Sequence, residues 1–526
     1  MKYCVSILVF VSIFFNCLLL TAQNSQHNVQ LQANKVGQTL YYINRLYLDT
    51  TNLEKITDHA LVNIMKELDP HSSYISKKDI QAMNEPLQGN FDGIGVEFAL
   101  INDTLTINST IPGGPSEKVG IRAGDKIVAV DGDEISGTGL TIERVHKYLR
   151  GPKGTKVLVS VVRRGVDQPL EFVITRDKIP LNSVDSYYVL DKDIVYLRLT
   201  RFAATSYKEI MDAISSLKVA PGGIVLDFRG NPGGYLLAAI QIANEFLNKG
   251  ELIVYTEGRT MKRMDEFATG SGTLKDVPVA ILIDENSASA SEIVSGAIQD
   301  WDRGIIIGRR SFGKGLVQQQ IPLQDGSALR LTVARYHTPS GRVIQSPYEE
   351  GKKEEYYAKL LERYNRGENF NRDSIHFADS LVYKTLVQGR TVYGGGGIMP
   401  DIFIAQDTTH YTPFYGEILR KGLLTDYMND YSDKHRGEIL KKYPSFKQFE
   451  KKFVVSQKEI DDFLAYCASK GVEPKEGDMA ISGHEIRRYF KGLIIRSVYS
   501  FNNFIEFINR EDPEVIKAVE VLSAWE

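Results

Sequence analysis

The spacing of apolar residues changes along the chain and divides it into regions of different predicted structure. Behind a short apolar leader, apolar residues recur every three or four positions across residues 23–86, which predicts helices. Residues 87–178 carry short apolar runs separated by glycine-rich turns, typical of a small β domain. Residues 179–405 alternate buried strands with amphipathic helices, and residues 406–526 are again helical in pattern. The alternation predicts an α/β core with largely parallel strands.

The first 22 residues have the anatomy of a secretory signal peptide. Lys2 supplies a positive charge, the stretch from Ile7 to Leu20 is almost continuously apolar, and Ala22 is a small residue suited to cleavage. We therefore expect removal of residues 1–22 and export to the periplasm or cell envelope. The alternative is an uncleaved segment that holds the protein on a membrane, although the run is short for a span.

Composition and charge exclude several classes of protein. Hydrophobic residues make up 43% and charged residues 25%, which is ordinary globular usage and argues against disordered, collagenous and coiled-coil chains. A net charge of −3 argues against a chain that binds nucleic acid over its whole surface. Three cysteines cannot form a disulfide framework or a four-thiolate zinc site. The sequence implies neither a metal nor a cofactor.

The β-rich region resembles a PDZ domain. The resemblance rests on the run from Gly93 to Val96, the run from Ala123 to Ile127, and the turn Asp131-Gly132. PDZ domains add a peptide C-terminus as a strand to an open sheet edge, where backbone N–H groups hold its carboxylate. Without the resemblance, the glycines would be interpreted as turn residues only. The implied peptide-binding residues are Gly93, Ile94, Gly95 and Val96.

A strand–loop–helix pattern in the α/β region supplies the candidate chemistry. An apolar run ending at Ile283 leads to Ser287, Ser289 and Ser291 at the predicted start of a helix. Unpaired N–H groups at a helix start stabilise an oxyanion, so a serine beside them is a candidate nucleophile. The alternative is that these serines only cap the helix.

Lys314 is the candidate base for such a serine. None of the nine histidines lies in this segment or the next, and the nearest one downstream is His337. A lysine acts as a base when burial lowers its pKa from about 10.4 toward ~7–8. Gly313 and Gly315 flank Lys314, which favours close backbone approach over the alternative of an exposed surface lysine.

The serine motif and the glycine-flanked lysine resemble the C-terminal processing peptidases, also called tail-specific proteases. These are PDZ-containing serine proteases with a Ser–Lys dyad. The resemblance implies that Ser289 is the nucleophile, because Lys314 follows it by the 25 positions typical of the family. It also implies that Gln318 orients the lysine. The implied oxyanion hole consists of the N–H groups of Ala290 and Gly233, with Gly234 as the alternative to Gly233.

The resemblance also implies an architecture and a class of partner. The expected fold is mixed α/β and multidomain, with a protease core of the ClpP/crotonase-like type, an inserted PDZ domain, and helical N- and C-terminal regions. The expected substrates are unfolded or tail-exposed proteins, cleaved through an acyl-enzyme, and no nucleic acid is expected. Whether the chain forms a homo-oligomer and what the C-terminal helical region does stay open.

Two competing interpretations are weaker. The run from Ser311 to Lys314 fits the Ser-x-x-Lys pattern of penicillin-binding enzymes, but the sequence has neither Ser-Asp-Asn nor Lys-Thr-Gly. A PDZ scaffold without catalysis would need neither Ser289 nor Lys314. Their joint presence at the family spacing therefore favours an enzyme.

Overall fold

The structure is a computed structural model that describes residues 27–101, 103–111, 113–122, 124–163 and 165–525. The predicted signal segment, residues 1–22, lies outside these ranges. Within them, no helix combines the length and the apolar character needed to cross a membrane.

The N-terminal arm is helical, as predicted, and contains one short strand. Its elements are α1 (residues 27–46), α2 (Leu53–Lys66), β1 (Ser73–Ile75) and α3 (Ile80–Gln88). Asn52 caps α2 by accepting a hydrogen bond from the Lys55 N–H at 2.9 Å. Ser73 of β1 pairs with Arg330, so the arm is hydrogen-bonded to the α/β core.

The PDZ region is an antiparallel sheet with two helices. Its elements are β2 (Asn90–Gly93), β3 (Val96–Ile101), β4 (Thr104–Thr110), α4 (Pro115–Val119), β5 (Lys126–Val130), β6 (Asp133–Glu134), α5 (Ile142–Leu149), β7 (Lys156–Val162), β8 (Leu170–Thr175) and β9 (Asp177–Pro180). Strand β3 is the edge of the order β3-β4-β5-β7-β8, and β2 pairs with β9 where the chain enters and leaves the region. Thr141 caps α5 by accepting a hydrogen bond from the Arg144 N–H at 3.3 Å.

The α/β region is built on a six-stranded central sheet. Its elements are β10 (Val184–Val189), β11 (Ile194–Leu199), α6 (Ser206–Leu217), β12 (Gly223–Asp227), α7 (Leu236–Asn244), β13 (Leu252–Glu257), β14 (Met264–Phe267), β15 (Val279–Ile283), α8 (Ala290–Asp300), β16 (Ile305–Gly308), β17 (Leu316–Pro322), β18 (Ala328–His337), α9 (Lys353–Asn365), β19 (Val382–Lys384), β20 (Thr391–Tyr393) and β21 (Ile402–Phe403). The order is β10-β11-β12-β15-β16-β21, and every pair except β10–β11 is parallel. The prediction of a largely parallel sheet is confirmed.

A second, antiparallel sheet was not predicted. Strands β1, β18, β13 and β14 form it in that order, and β17 pairs with β18. Strand β17 lacks an apolar signature because its middle residues, Gln318, Gln319 and Gln320, are polar and partly or fully exposed. Its place in a sheet is set by pairing with β18 rather than by burial.

The C-terminal region is helical, as predicted. Its helices are α10 (Pro413–Arg420), α11 (Leu423–Lys442), α12 (Phe446–Lys452), α13 (Gln457–Ser469), α14 (Asp478–Val498), α15 (Phe501–Ile508) and α16 (Pro513–Ser523). Helices α10–α14 share a core of their own, whereas Val515, Ala518 and Leu522 of α16 pack with central-sheet residues such as Val225 and Leu282.

The two faces of the central sheet have different partners. Leu226 and Ile281 point into a core shared with α6, α7 and α8. Val225 and Leu282, which are adjacent to Leu226 and Ile281 on the same strands, point to the face covered by α15 and α16. The last two helices therefore complete the α/β core.

Candidate active site

Three loops meet at one edge of the central sheet. Strands β12, β15 and β16 are neighbours and parallel, so their carboxyl ends lie side by side. The oxyanion loop (residues 228–235) follows β12, the serine loop (residues 284–289) follows β15, and the lysine loop (residues 309–315) follows β16. Sites in α/β proteins form at such carboxyl ends. Ser289, Ala290, Gly233 and Lys314 all come from these loops or the residue after them.

Ser289 occupies a strained position immediately before α8. Its backbone has φ 56° and ψ −112°, a region that residues other than glycine rarely adopt, at a cost of roughly 1–3 kcal/mol. Its N–H donates to Glu292 Oε2 at 2.7 Å. Ala290 is buried, and no described group accepts a hydrogen bond from its N–H. A free N–H beside the serine is what an oxyanion hole requires.

The other two serines of the motif have structural contacts. Ser287 Oγ donates to the carbonyl of Phe228 at 2.8 Å, and Ser291 Oγ donates to the carbonyl of Asn231 at 3.0 Å. Both serines are fully buried, whereas Ser289 is partly exposed. Among the three, only Ser289 can be reached by a substrate.

A buried carboxylate joins the serine loop to the lysine loop. Glu292 Oε2 accepts from the N–H groups of Ser289 and Lys314, and Oε1 accepts from the Gly313 N–H and from Ser311 Oγ. Glu292 is 0% exposed. Burial raises its pKa to about 7, against the four hydrogen bonds, which lower it. Because all four partners donate, two to each oxygen, the contacts suit the ionised form of the Glu292 carboxylate.

A buried tyrosine also joins the same two segments. The hydroxyl of Tyr336, on β18, lies 2.5 Å from the carbonyl of Lys314 and 3.2 Å from the carbonyl of Ser289. Tyr336 is 1% exposed, so this contact is shielded from water. The backbones of Ser289 and Lys314 therefore share two partners, Glu292 and Tyr336.

The surroundings of Lys314 favour its neutral form. Burial lowers the pKa of its amine, and the charge of Arg330 lowers it further, while Glu292 and Asp69 raise it by a smaller amount. His71, in the arm, is half-buried nearby, and this burial together with the charge of Lys314 lowers the pKa of His71 to about 4. The expectation of a lysine with a lowered pKa is consistent with this environment.

The oxyanion loop is held against Ser289 by Asn231. The carbonyl of Asn231 accepts from the Ala288 N–H at 3.0 Å, and its side-chain oxygen accepts from the Gly233 N–H at 2.9 Å. A Cβ on Gly233, which has φ +94°, would lie 2.8 Å from the Cβ of Ser289 and 2.6 Å from the Ala288 carbonyl. Only glycine allows this approach.

Comparison with known proteins identifies the family. Residues 193–351 match the model of Peptidase family S41, residues 106–163 match a PDZ domain, and residues 414–500 match a family of unknown function, DUF8443. A carboxy-terminal-processing protease of Bartonella bacilliformis is 40% identical over 328 residues, which cover 61% of this chain and 74% of that protein. This chain belongs to the carboxy-terminal processing proteases of peptidase family S41. It is a serine-type peptidase with a PDZ domain.

Other relatives cover similar stretches. A CtpA-like serine protease of Staphylococcus aureus is 35% identical over 320 residues, which cover 60% of this chain and 63% of that protein. The solved structure of a photosystem II D1 C-terminal processing protease is 24% identical, with a TM-score of 0.35, over 71% of this chain and 92% of that one.

In this protease, two predicted residues make contacts that differ from the expected ones. The Gln318 amide donates to the carbonyl of Leu316 at 3.1 Å, and no hydrogen bond in the described part of the chain joins it to Lys314. The Gly233 N–H is engaged by Asn231, whereas the N–H of Gly234 has no acceptor among the described residues. For the second donor of the predicted oxyanion hole, Gly234 therefore offers a free N–H, whereas the Gly233 N–H would first have to leave Asn231.

The predicted peptide-binding run of this protease lies at the open edge of the PDZ sheet. Gly93 ends β2, Val96 begins β3, and Gly95 between them has φ +74°. The carbonyl of Ile94 accepts from both the N–H and the hydroxyl of Ser116, at 3.1 and 2.7 Å. The run is thus fixed from within the domain while the far side of β3 stays unpaired in the described sheet.

Sequence reasoning missed the residues that connect the loops. Glu292 stands three positions after Ser289, which is the spacing of a capping box, and that signal could have singled it out. Nothing in the residue type of Tyr336 or Asn231 indicates a role. Their contacts depend on the tertiary fold.

We expect Gly233→Ala to lower kcat by about 100-fold, because the added methyl group would push the oxyanion loop away from Ser289. Gly230→Ala is the matched control: Gly230 lies in the same loop with φ +70°, but its Cβ would meet nothing within 4 Å. Peptide-cleavage kinetics on both variants test this. Equal losses in the two would assign the effect to backbone strain rather than to contact with the serine.

Proposed function

We propose that this protein is an endopeptidase that captures protein substrates by their C-terminal tails and cleaves them with a Ser289–Lys314 dyad. The observation that carries the proposal is the shared support of the two residues: Glu292 and Tyr336 each contact the backbone of both. The lowered pKa of the Lys314 amine and the free N–H of Ala290 support the same roles.

In the proposed reaction, Ser289 Oγ attacks the carbonyl carbon of the scissile peptide bond, and its proton passes to the neutral amine of Lys314. The oxyanion of the tetrahedral intermediate accepts a hydrogen bond from the Ala290 N–H and from a glycine of the oxyanion loop. The Lys314 ammonium then gives its proton to the departing amine, leaving an acyl-enzyme on Ser289. Water, deprotonated by Lys314, releases the acyl group.

The proposed site of action is the cell envelope, and the support for this is the N-terminal leader. Residues 1–22 have the pattern of a signal peptide. The alternative of a PDZ scaffold without catalysis does not account for the strained backbone at Ser289, because a scaffold gains nothing from that cost.

The dyad predicts that Ser289→Ala and Lys314→Ala each lower kcat by at least about 1000-fold, and that the double variant is little worse than either one. Ser295→Ala, in the same helix, is the matched control, because its hydroxyl bonds only the carbonyl of Ser291. Cleavage of an unfolded protein, followed by mass spectrometry, measures the loss. Near-full activity of Lys314→Ala at neutral pH would contradict the assignment.

The lysine base predicts an activity that rises with pH. Lys314 must be neutral to accept a proton, so cleavage should increase as pH passes through its pKa, which burial places below the ordinary 10.5, and should stay high above it. The rise of kcat with pH should be unchanged in His337→Ala and in His71→Ala. Loss of this rise in either histidine variant would identify a histidine as the base.

Tail capture predicts that cleavage depends on the substrate's last residues. An unfolded substrate that ends in small apolar residues should be cut faster than the same chain ending in Asp-Asp or in an amide. Phe98→Asp should remove this preference, since Phe98 lies on β3 at the open edge of the PDZ sheet and contacts His146 of α5 with ring centroids 6.1 Å apart. Val173→Asp, on the opposite edge strand β8, is the control. Equal cleavage of all tails by the unaltered protein would argue against the PDZ role.

A further inference from the structure

A cluster of charged side chains lies beneath the three active-site loops. Arg229, the second residue of the oxyanion loop, donates to Asp227 at the end of β12 through Nε and through Nη2, the latter at 2.6 Å. The Nη1 of the same guanidinium donates to Asp512 at 2.8 Å and also to Glu514. Asp512 and Glu514 belong to the start of α16, far along the chain. Arg229 is therefore clamped between the sheet and the C-terminal region.

A second arginine extends the cluster to the lysine loop. Arg309, the first residue of that loop, donates to Glu285 of the serine loop through Nε and to Glu514 through Nη1, both at 2.8 Å. Glu514 thus accepts from Arg309 with one carboxylate oxygen and from Arg229 with the other. Its side chain is only 7% exposed. One carboxylate from α16 joins the loops that carry the predicted oxyanion hole and the predicted base.

The cap and the packing of helix α16 keep Asp512 and Glu514 in place. Asp512 Oδ1 accepts from the N–H groups of Glu514 and Val515, at 3.0 and 3.1 Å, and so caps the helix, while its Oδ2 accepts from Arg229. Val515 and Leu522 are buried against the central sheet. The acids are presented by a helix that the core itself fixes.

We propose that Asp512 and Glu514 are positioning residues of the peptidase site, which makes helix α16 a part of the catalytic scaffold. The proposal rests on the proposed Ser289–Lys314 mechanism. Arg229 and Arg309 are largely buried cations, with side chains 17% and 13% exposed. Without Asp512 and Glu514, Arg229 would keep only Asp227 and Arg309 only Glu285, so part of each guanidinium would be left unpaired and would turn toward water. Each would then draw its loop away from the serine.

The loops transmit this movement directly. Arg229 adjoins Gly230, whose N–H donates to Asp284 of the serine loop at 2.9 Å, and the next residue is Asn231, which holds Gly233. Arg309 leads through Ser311, which bonds Glu292, to the lysine. A shift of either arginine therefore reaches a group beside Ser289, and a misplacement of about 1 Å can cost about 100-fold in rate.

The test uses the full-length protein with Asp512→Asn, Glu514→Gln and both together. Asp512→Asn keeps a side-chain oxygen that can cap α16 but removes the negative charge that pairs with Arg229. This variant therefore tests the ion pair without removing the helix cap. Glu520→Gln is the matched control, because Glu520 lies on the same helix and pairs only with Lys517, in an exposed position. For each variant, kcat and KM for a peptide substrate, the rate of labelling by a fluorophosphonate, and the melting temperature are measured.

We expect kcat and the labelling rate of the double variant to fall by about 10-fold to 100-fold, with KM changed by no more than about twofold, and Glu520→Gln to match the unaltered protein. Glu514→Asp should restore part of the loss, since it keeps the charge. A folded double variant with unchanged kcat and labelling would overturn the proposal. If the double variant does not fold, Asp512→Asn decides by the same criteria.

Ser289→Ala is measured alongside to separate this proposal from the mechanism on which it rests. Cleavage by Ser289→Ala would contradict the dyad itself. Inactive Ser289→Ala together with fully active Asp512 and Glu514 variants would contradict the positioning role alone.

Discussion

The carboxylate of Glu292 accepts four hydrogen bonds in a place that water does not reach, and the arrangement around the serine depends on it. A buried carboxylate is tolerated only when donors surround it. Here one donor is the backbone N–H of Ser289, and the other three belong to the lysine loop: the Ser311 hydroxyl and the N–H groups of Gly313 and Lys314. Strands β15 and β16 must be parallel neighbours for these donors to converge. The unusual φ of Ser289 is maintained by the same contact, because its N–H has to point at Glu292.

A parallel sheet such as the central one has to be covered by other elements on both of its faces. Helices of the α/β region fill one face, and α15 and α16 of the C-terminal region fill the other. Because α16 begins at the same edge where the loops emerge, its first residues meet the arginines of two loops. The cluster of Arg229, Arg309 and Glu514 is thus a consequence of how the sheet is covered.

The sequence allowed prediction of those features that depend on local pattern. Buried strands such as β12 and β15 have continuous apolar runs. Ser289 was selected over Ser287 and Ser291 only through the family resemblance, which supplies its 25-residue spacing to Lys314, and its role stays a prediction. Features that depend on distant pairing could not be predicted. Strand β17 is polar and is defined by its partner β18, and the contact of Arg229 with Asp512 joins residues 283 positions apart. The spacing of apolar residues along the sequence carries no information about a contact of that kind.

The connection between the PDZ region and the rest of the chain also depends on pairing between distant strands. Strands β2 and β9 form a ladder at the entry and exit of the domain, and Gly93, the first predicted peptide-binding residue, pairs with Asp177 in its last rung. Ile179 of β9 lies under Gly95, where an added Cβ would come within 3.0 Å of its Cδ1. The predicted peptide site therefore rests on the ladder itself. Two strands hydrogen-bonded to each other at the entry and exit of the domain restrict its attachment more than a pair of flexible linkers would.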